Sequence, residues 1–152
     1  MRRLVQDLGK AARGGAMLRA DIVRAVAELA LARIHHAIIP VRDLPLRLPP
    51  PEPTCLSARQ HALLERITYV VPRMRRRLPW RSDCLVQALA ARRWLASGGI
   101  AGVIRLGSRI GSDGKFEAHA WFTVGDAVVT GWDIERFAEF APFPPDGGEA
   151  EN

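Results

Sequence analysis

The stretch 82–99, SDCLVQALAARRWLASGG, decides the fold when it is set beside 115–124, KFEAHAWFTV. In the first, Leu85, Ala88, Leu89 and Leu95 recur at helical spacing and make a stripe that must be buried. Ser82 stands where an N-cap belongs, and Gly98-Gly99 supplies the stop. The spacing predicts a helix with Cys84 in its first turn. In the second stretch the period drops to two. Phe116, Ala118, Ala120 and Phe122 form an apolar face, and Glu117, His119, Trp121 and Thr123 share the opposite one. Ile100–Ser108 reads as the strand before it, joined through the turn-rich residues 110–114. Ala127–Trp132 reads as the strand after it, beyond a Gly125-Asp126 turn, and a short helix is expected over Ile134–Phe140. Helices first and an antiparallel meander afterwards make an α+β domain.

Upstream, Leu18, Ile22, Val26 and Leu29, widened by Val23, Ala27, Ala30 and Ile34, predict a helix over 18–39 that Pro40 ends. Prolines at 45, 49, 50, 51 and 53 make residues 41–54 an extended connector. A second helix is predicted over Leu56–Val71, with Leu56, Leu63, Ile67 and Val70 on one side and Ser57 as an alternative N-cap. Pro72–Pro79 reads as a basic connector. Residues 1–143 are expected to form a single domain, with N-terminal helices in 1–40, and the acidic residues 144–152 a disordered tail. At 152 residues the chain can bury roughly two-thirds of its unfolded surface, so it needs neither disulfides nor metal to fold.

The composition, 48% hydrophobic and 25% charged, excludes disordered, collagen-like and Cys-rich secreted classes. The net charge of +6 is unevenly spread: residues 1–109 carry 20 bases and 7 acids, whereas 110–152 carry 2 bases and 9 acids. A basic front half could meet nucleic acid, an anionic membrane face or an acidic peptide, and charge alone does not choose. The basic N-terminus is not followed by an apolar h-region and cleavage site. Asp21, Arg24, Glu28 and Arg33 put too much charge into 20–39 for a transmembrane span. Two cysteines, Cys55 and Cys84, make no disulfide framework. The expected setting is soluble, reduced and cytoplasmic.

Cys84 and His119 carry the chemistry. Exposed N–H groups and the positive end of a helix dipole favour thiolate over thiol at Cys84, whereas Asp83 opposes this unless it turns away to cap the helix. A cysteine at a helix N-terminus packed on a strand bearing histidine is the papain-type arrangement, in which His takes the thiol proton and the thiolate attacks a carbonyl. The plain alternatives are a small buried cysteine and a half-buried strand histidine bonded to backbone.

The run Ser82-Asp-Cys-Leu-Val-Gln-Ala-Leu-Ala90, then Gly98-Gly-Ile, Leu106-Gly and Phe116-Glu-Ala-His-Ala-Trp121, resembles the transglutaminase-like leader peptidases of lasso-peptide biosynthesis. More narrowly, it is similar to the separate peptidase half of the split B protein. The resemblance runs from the N-terminal helices to about Phe143 and is densest over 82–121. It implies a transglutaminase-like, papain-like fold and a cysteine protease that removes the leader from a ribosomally made precursor peptide. It implies no cofactor and no metal. Its partners would be the precursor at its leader–core junction, a separate leader-binding protein and an ATP-dependent macrolactam cyclase. Carried over by position, Cys84 is the nucleophile and His119 the general base and acid. The family's acid position falls on Gly131, and the nearest substitutes are Asp133 and Asp126; a missing third member need not abolish activity, because its role is to orient and stabilise the base. If the hairpin closes as a two-residue turn, Trp132 lies opposite His119; with a three-residue turn and bulge, Asp133 does and can orient the imidazole. Asp133 is the candidate taken forward, with an N-cap for the helix after it as the alternative. Asp126 reads as a turn residue.

Cys55 has no adjacent basic partner and reads as an inert thiol. His35-His36 suits a helix C-terminus better than zinc. Arg73, Arg75, Arg76 and Arg77 could meet nucleic acid, but no aromatics interleave them; a solvated face or a dock for partner or leader are the other readings. Trp80, Trp94 and Trp121 are core or cleft-wall residues. Two further classes stay open: a non-catalytic peptide-binding module, favoured by Gly131, and a basic nucleic-acid-binding protein.

Overall fold

The structure, a computed structural model, describes residues 19–39, 55–75 and 77–140. The proline-rich connector 41–54, Pro40, Arg76 and the acidic tail 144–152 lie outside the described residues. Three helices, α1 (Arg19–Ile38), α2 (Ala58–Met74) and α3 (Cys84–Ser97), precede an antiparallel sheet of β1 (Val103–Ile110), β2 (Phe116–Val124), β3 (Ala127–Thr130) and β4 (Ala138–Glu139) in the order β3-β2-β1-β4. The α+β architecture expected from the sequence is the one observed.

Helix α3 is the central element, packed on α1, α2 and the sheet, and every residue from Leu85 to Ala91 is buried. It ends as a Schellman motif: Ile100 N–H donates to Leu95 O and Gly99 N–H to Ala96 O, both at 3.0 Å, with Leu95 and Ile100 buried together. Helix α2 begins with a reciprocal capping box between Ser57 and Gln60. The Gln60 amide also donates to the carbonyls of Gly98 and Gly99, each at 3.3 Å, so one cap ties the start of α2 to the end of α3. Phe122, Leu29, Ile67, Leu95 and Val129 lie at the centre of the core.

Four expectations need correction. The buried face of α1 is Asp21, Ala25, Glu28, Leu29 and Ala32, not the stripe containing Val23 and Ile34, which are 68% and 53% exposed. Ion pairs turn the helix this way: Asp21 meets Arg66 of α2 at 2.9 Å, and Glu28 meets Arg24 at 2.9 Å and Arg93 of α3 at 3.1 Å. Buried carboxylates are tolerable because they are paired. Helix α2 runs through Pro72 to Met74 instead of stopping at Val71. An interior proline costs about 3 kcal/mol, and burial of Val71 and Met74 offsets it. The N-cap of α3 is Asp83, not Ser82, and its side chain makes no cap bond; the Gln87 amide instead donates to the carbonyls of Ser82 and Asp83. The expected helix over Ile134–Phe140 is a single 3₁₀ turn, Ile134–Arg136, followed by β4, because the chain crosses from the β3 edge to the outer edge of β1.

Candidate active site

Cys84 is the first residue of α3 and is half-buried. Its sulfur accepts the backbone N–H of Ala120 in β2 at 3.4 Å. The sheet explains why that N–H is free. β2 and β3 join through the two-residue Gly125-Asp126 turn, with Val124 opposite Ala127 and Thr123 opposite Val128. Val129 then bulges, so Phe122 faces Thr130, where pairing ends. In an antiparallel pair, alternate residues present N–H and C=O to the same neighbour, so Ala120 offers its groups to the β3 side, as Phe122 does. A Cβ on Gly131 would lie 2.5 Å from Ala120 O and 2.6 Å from Trp121 Cβ, at φ +79°. Only glycine fits there, and the Ala120 N–H is left to the thiol.

His119 is the next residue along β2, opposite Gly107 of β1. Its ring lies on the other face of the strand and is half-buried under the crossing chain. It stacks on Phe137 at 4.7 Å between centroids and lies 6.2 Å from Trp121. The Arg109 guanidinium sits 4.9 Å from the Phe137 ring and pairs with Glu117 at 2.5 Å, extending the stack. His119 Nε2 is buried with no hydrogen-bonding partner among the described residues. The thiol and the imidazole are adjacent through one peptide unit but do not hydrogen-bond to each other.

The third residue has a different placement. The hairpin combines both closures weighed from the sequence, a two-residue turn and then a bulge. Continuing the Phe122–Thr130 register brings Asp133 level with His119. Pairing has ended by then. Asp133 is exposed in the left-handed region at φ 70°, with no side-chain cap bond and no bond to His119. Its neighbour in the motif, Gly131, cannot carry a carboxylate without moving the Trp121 backbone. Asp126 is a turn residue.

Phe137 and the Ala120 amide were not among the candidates. Nothing local marks Phe137: its contact with His119 depends on the crossing to β4, which periodicity does not report. Cys55 is an exposed free thiol, and Arg73 stacks on the Tyr69 ring of its own helix at 3.5 Å. No group of three or more His, Cys, Asp or Glu side chains among the described residues is placed to hold a metal. No helix among them is long and apolar enough to cross a membrane. Asp113, in the β1–β2 turn, has its carboxyl held below the usual range by hydrogen bonds from Lys115, and burial lowers Arg92 on α3.

No curated protein and no solved structure matches the chain. The sequence profile described as the transglutaminase-like superfamily matches residues 16–143, a span that takes in all three helices, the thiol, the histidine strand and the crossing segment. The chain belongs to the transglutaminase-like superfamily.

Proposed function

We propose that this protein is a cysteine peptidase that removes the leader from a ribosomally synthesised lasso precursor peptide. One observation carries the catalytic part of this reading: the Cys84 thiol, at the N-terminus of α3, is hydrogen-bonded to the strand one residue from His119. The superfamily to which the chain belongs includes cysteine peptidases. The lasso part rests on the motif over 82–121.

In the reaction, His119 takes the Cys84 proton and sulfur attacks the scissile carbonyl, forming an S–C bond and an oxyanion. The Cys84 backbone N–H, free at the helix start, is one donor to that oxyanion. Collapse breaks the C–N bond, and His119 returns the proton to the leaving amine. Water, deprotonated by His119, then hydrolyses the thioester and frees Cys84. Reaching this geometry requires the thiol to leave the Ala120 N–H and meet the imidazole. Asp133 is the proposed orienting carboxylate, reached by local movement of 131–133. A separate leader-binding protein would hold the precursor in register, and an ATP-dependent cyclase would close the macrolactam. Residues 1–143 would act as one peptidase domain in the cytoplasm.

The second reading is a non-catalytic peptide-binding module of the same assembly. It is favoured by the missing thiol–imidazole bond and by glycine at 131. Incubation of the protein with candidate precursors and their leader-binding partner, followed by mass spectrometry, separates the two. A peptidase releases leader and core and stops doing so in Cys84→Ala. A binding module retains intact precursor in both proteins.

A further inference from the structure

The start of α3 is tied in the reverse of the usual direction. Asp83 has the extended backbone of an N-cap, at φ −66° and ψ 171°, and aspartate is among the residues that cap best. Its carboxylate nevertheless makes no cap hydrogen bond. It is half exposed and stands 3.9 Å from Arg81, a loose surface pair. Gln87, one turn into the helix and only 4% exposed, reaches back instead. Its side-chain amide donates to Ser82 O at 3.0 Å and to Asp83 O at 3.3 Å. Ser82 is itself buried, so its carbonyl needs that donor. A cap normally supplies an acceptor to the helix; here a helix residue supplies a donor to the chain before it.

The difference matters for charge. Cys84 is the first residue of α3, between Asp83 and the first-turn N–H groups of Leu85 and Val86. A capping carboxylate would take one of those N–H groups and fix a full negative charge in the same turn as the thiol. An anion so placed disfavours the thiolate. Gln87 ties the same turn with a neutral group.

We propose that Gln87 is a positioning residue for Cys84. By clamping the Ser82 and Asp83 carbonyls it keeps the Asp83 carboxylate outside the cap and the sulfur on the Ala120 N–H. That Cys84 is a nucleophile rests on the peptidase reading; the clamp rests on the geometry of the α3 start alone.

The test compares Gln87→Met, Asp83→Ala and the double variant in the full chain. Iodoacetamide alkylation at pH 7, followed by peptide mass spectrometry, reads Cys84 against Cys55, the other cysteine of the chain. Backbone amide spectra of the ¹⁵N-labelled protein read the cap. In Gln87→Met the released carboxylate is expected to take the Leu85 or Val86 N–H and move that resonance downfield. Cys84 is then expected to alkylate at least several-fold more slowly. Asp83→Ala alone should change the Cys84 rate by no more than about twofold, because the carboxylate stands outside the cap. The double variant has no carboxylate to enter the cap, so its resonances and its rate should match those of Asp83→Ala. A double variant as slow as Gln87→Met would reduce Gln87 to a structural role and overturn the proposal, as would an unchanged rate in Gln87→Met. Should Gln87→Met not fold, Asp83→Ala still decides: a several-fold gain in Cys84 reactivity would place the carboxylate at the thiol already. His119→Ala tests the peptidase pair separately. Its failure leaves the amide shift and its reversal standing, and a failed cap exchange leaves the His119 comparison intact.

Discussion

The two halves of β2 are one strand with opposite surroundings. From Ala120 to Thr123 it is buried on both faces: Ala120 and Phe122 against the helices, Trp121 and Thr123 on the other side. From Phe116 to His119 the helical layer has ended, Phe116 is 65% exposed, and β3 no longer runs alongside. The first half anchors the sheet, and the second is covered only by β1 alongside and by Phe137 over His119. Cys84 and His119 stand at the border, where Ala120 gives its N–H to sulfur in place of a strand. A reactive group at such a border gains a rigid mount on one side and access on the other.

Substitutions can break that contrast. The largest effect is expected for Phe122→Ala, which removes a fully buried ring and should cost about 3–5 kcal/mol in denaturant unfolding. The matching Phe116→Ala, on the same face of the same strand, should change stability by less than about 0.5 kcal/mol. Comparable losses at the two positions would contradict the division. Gly131→Ala comes next, at about 1–3 kcal/mol, because it adds a Cβ at a positive φ where Ala120 and Trp121 leave no room. Gly131→Asp should be no better, because its side chain meets the same backbone. Phe137→Ala removes the ring stacked on His119 and should cost about 0.5–1.5 kcal/mol, with a several-fold drop in Cys84 alkylation. An unchanged alkylation rate would show that the stack does not position the imidazole.

The smallest effect lies at the far turn. Hydrogen bonds from Lys115 depress the Asp113 pKa, so their contribution is present above the ordinary carboxylate range and fades as pH falls through the depressed value. The pair is exposed, so Lys115→Met should lower the melting temperature only slightly at pH 7. That difference should disappear in acid; a difference that grew there would reverse the sign of the account.

What could be read from residues alone followed the range of the forces involved. The α3 stop, the Ser57 cap and the alternation of β2 are set within a few positions, and Gly98-Gly99, Ser57 with Gln60, and 116–124 announce them. The face of α1 is set by Arg66 and Arg93 on other helices, and apolar residues around most of α1 leave its own pattern indecisive. Helix α2 continues past Pro72 because Met74 is buried by distant neighbours. The site divides in the same way. Cys84 and His119 are marked by local context, a helix start and a strand interior. Phe137 and the Ala120 amide emerge only when the chain crosses the sheet and the third helix packs on it.

If Cys84 and His119 act as a pair, the reactivity of the two thiols reports it. Cys55 is exposed and Cys84 half-buried, so access alone predicts faster alkylation of Cys55. Iodoacetamide rates at both cysteines, followed by peptide mass spectrometry at pH 7 in wild type and His119→Ala, distinguish access from activation. With the pair in place, Cys84 is expected to react faster than Cys55 in wild type and to lose that advantage without His119. A Cys84 that reacts no faster than Cys55, or one indifferent to His119, would contradict it.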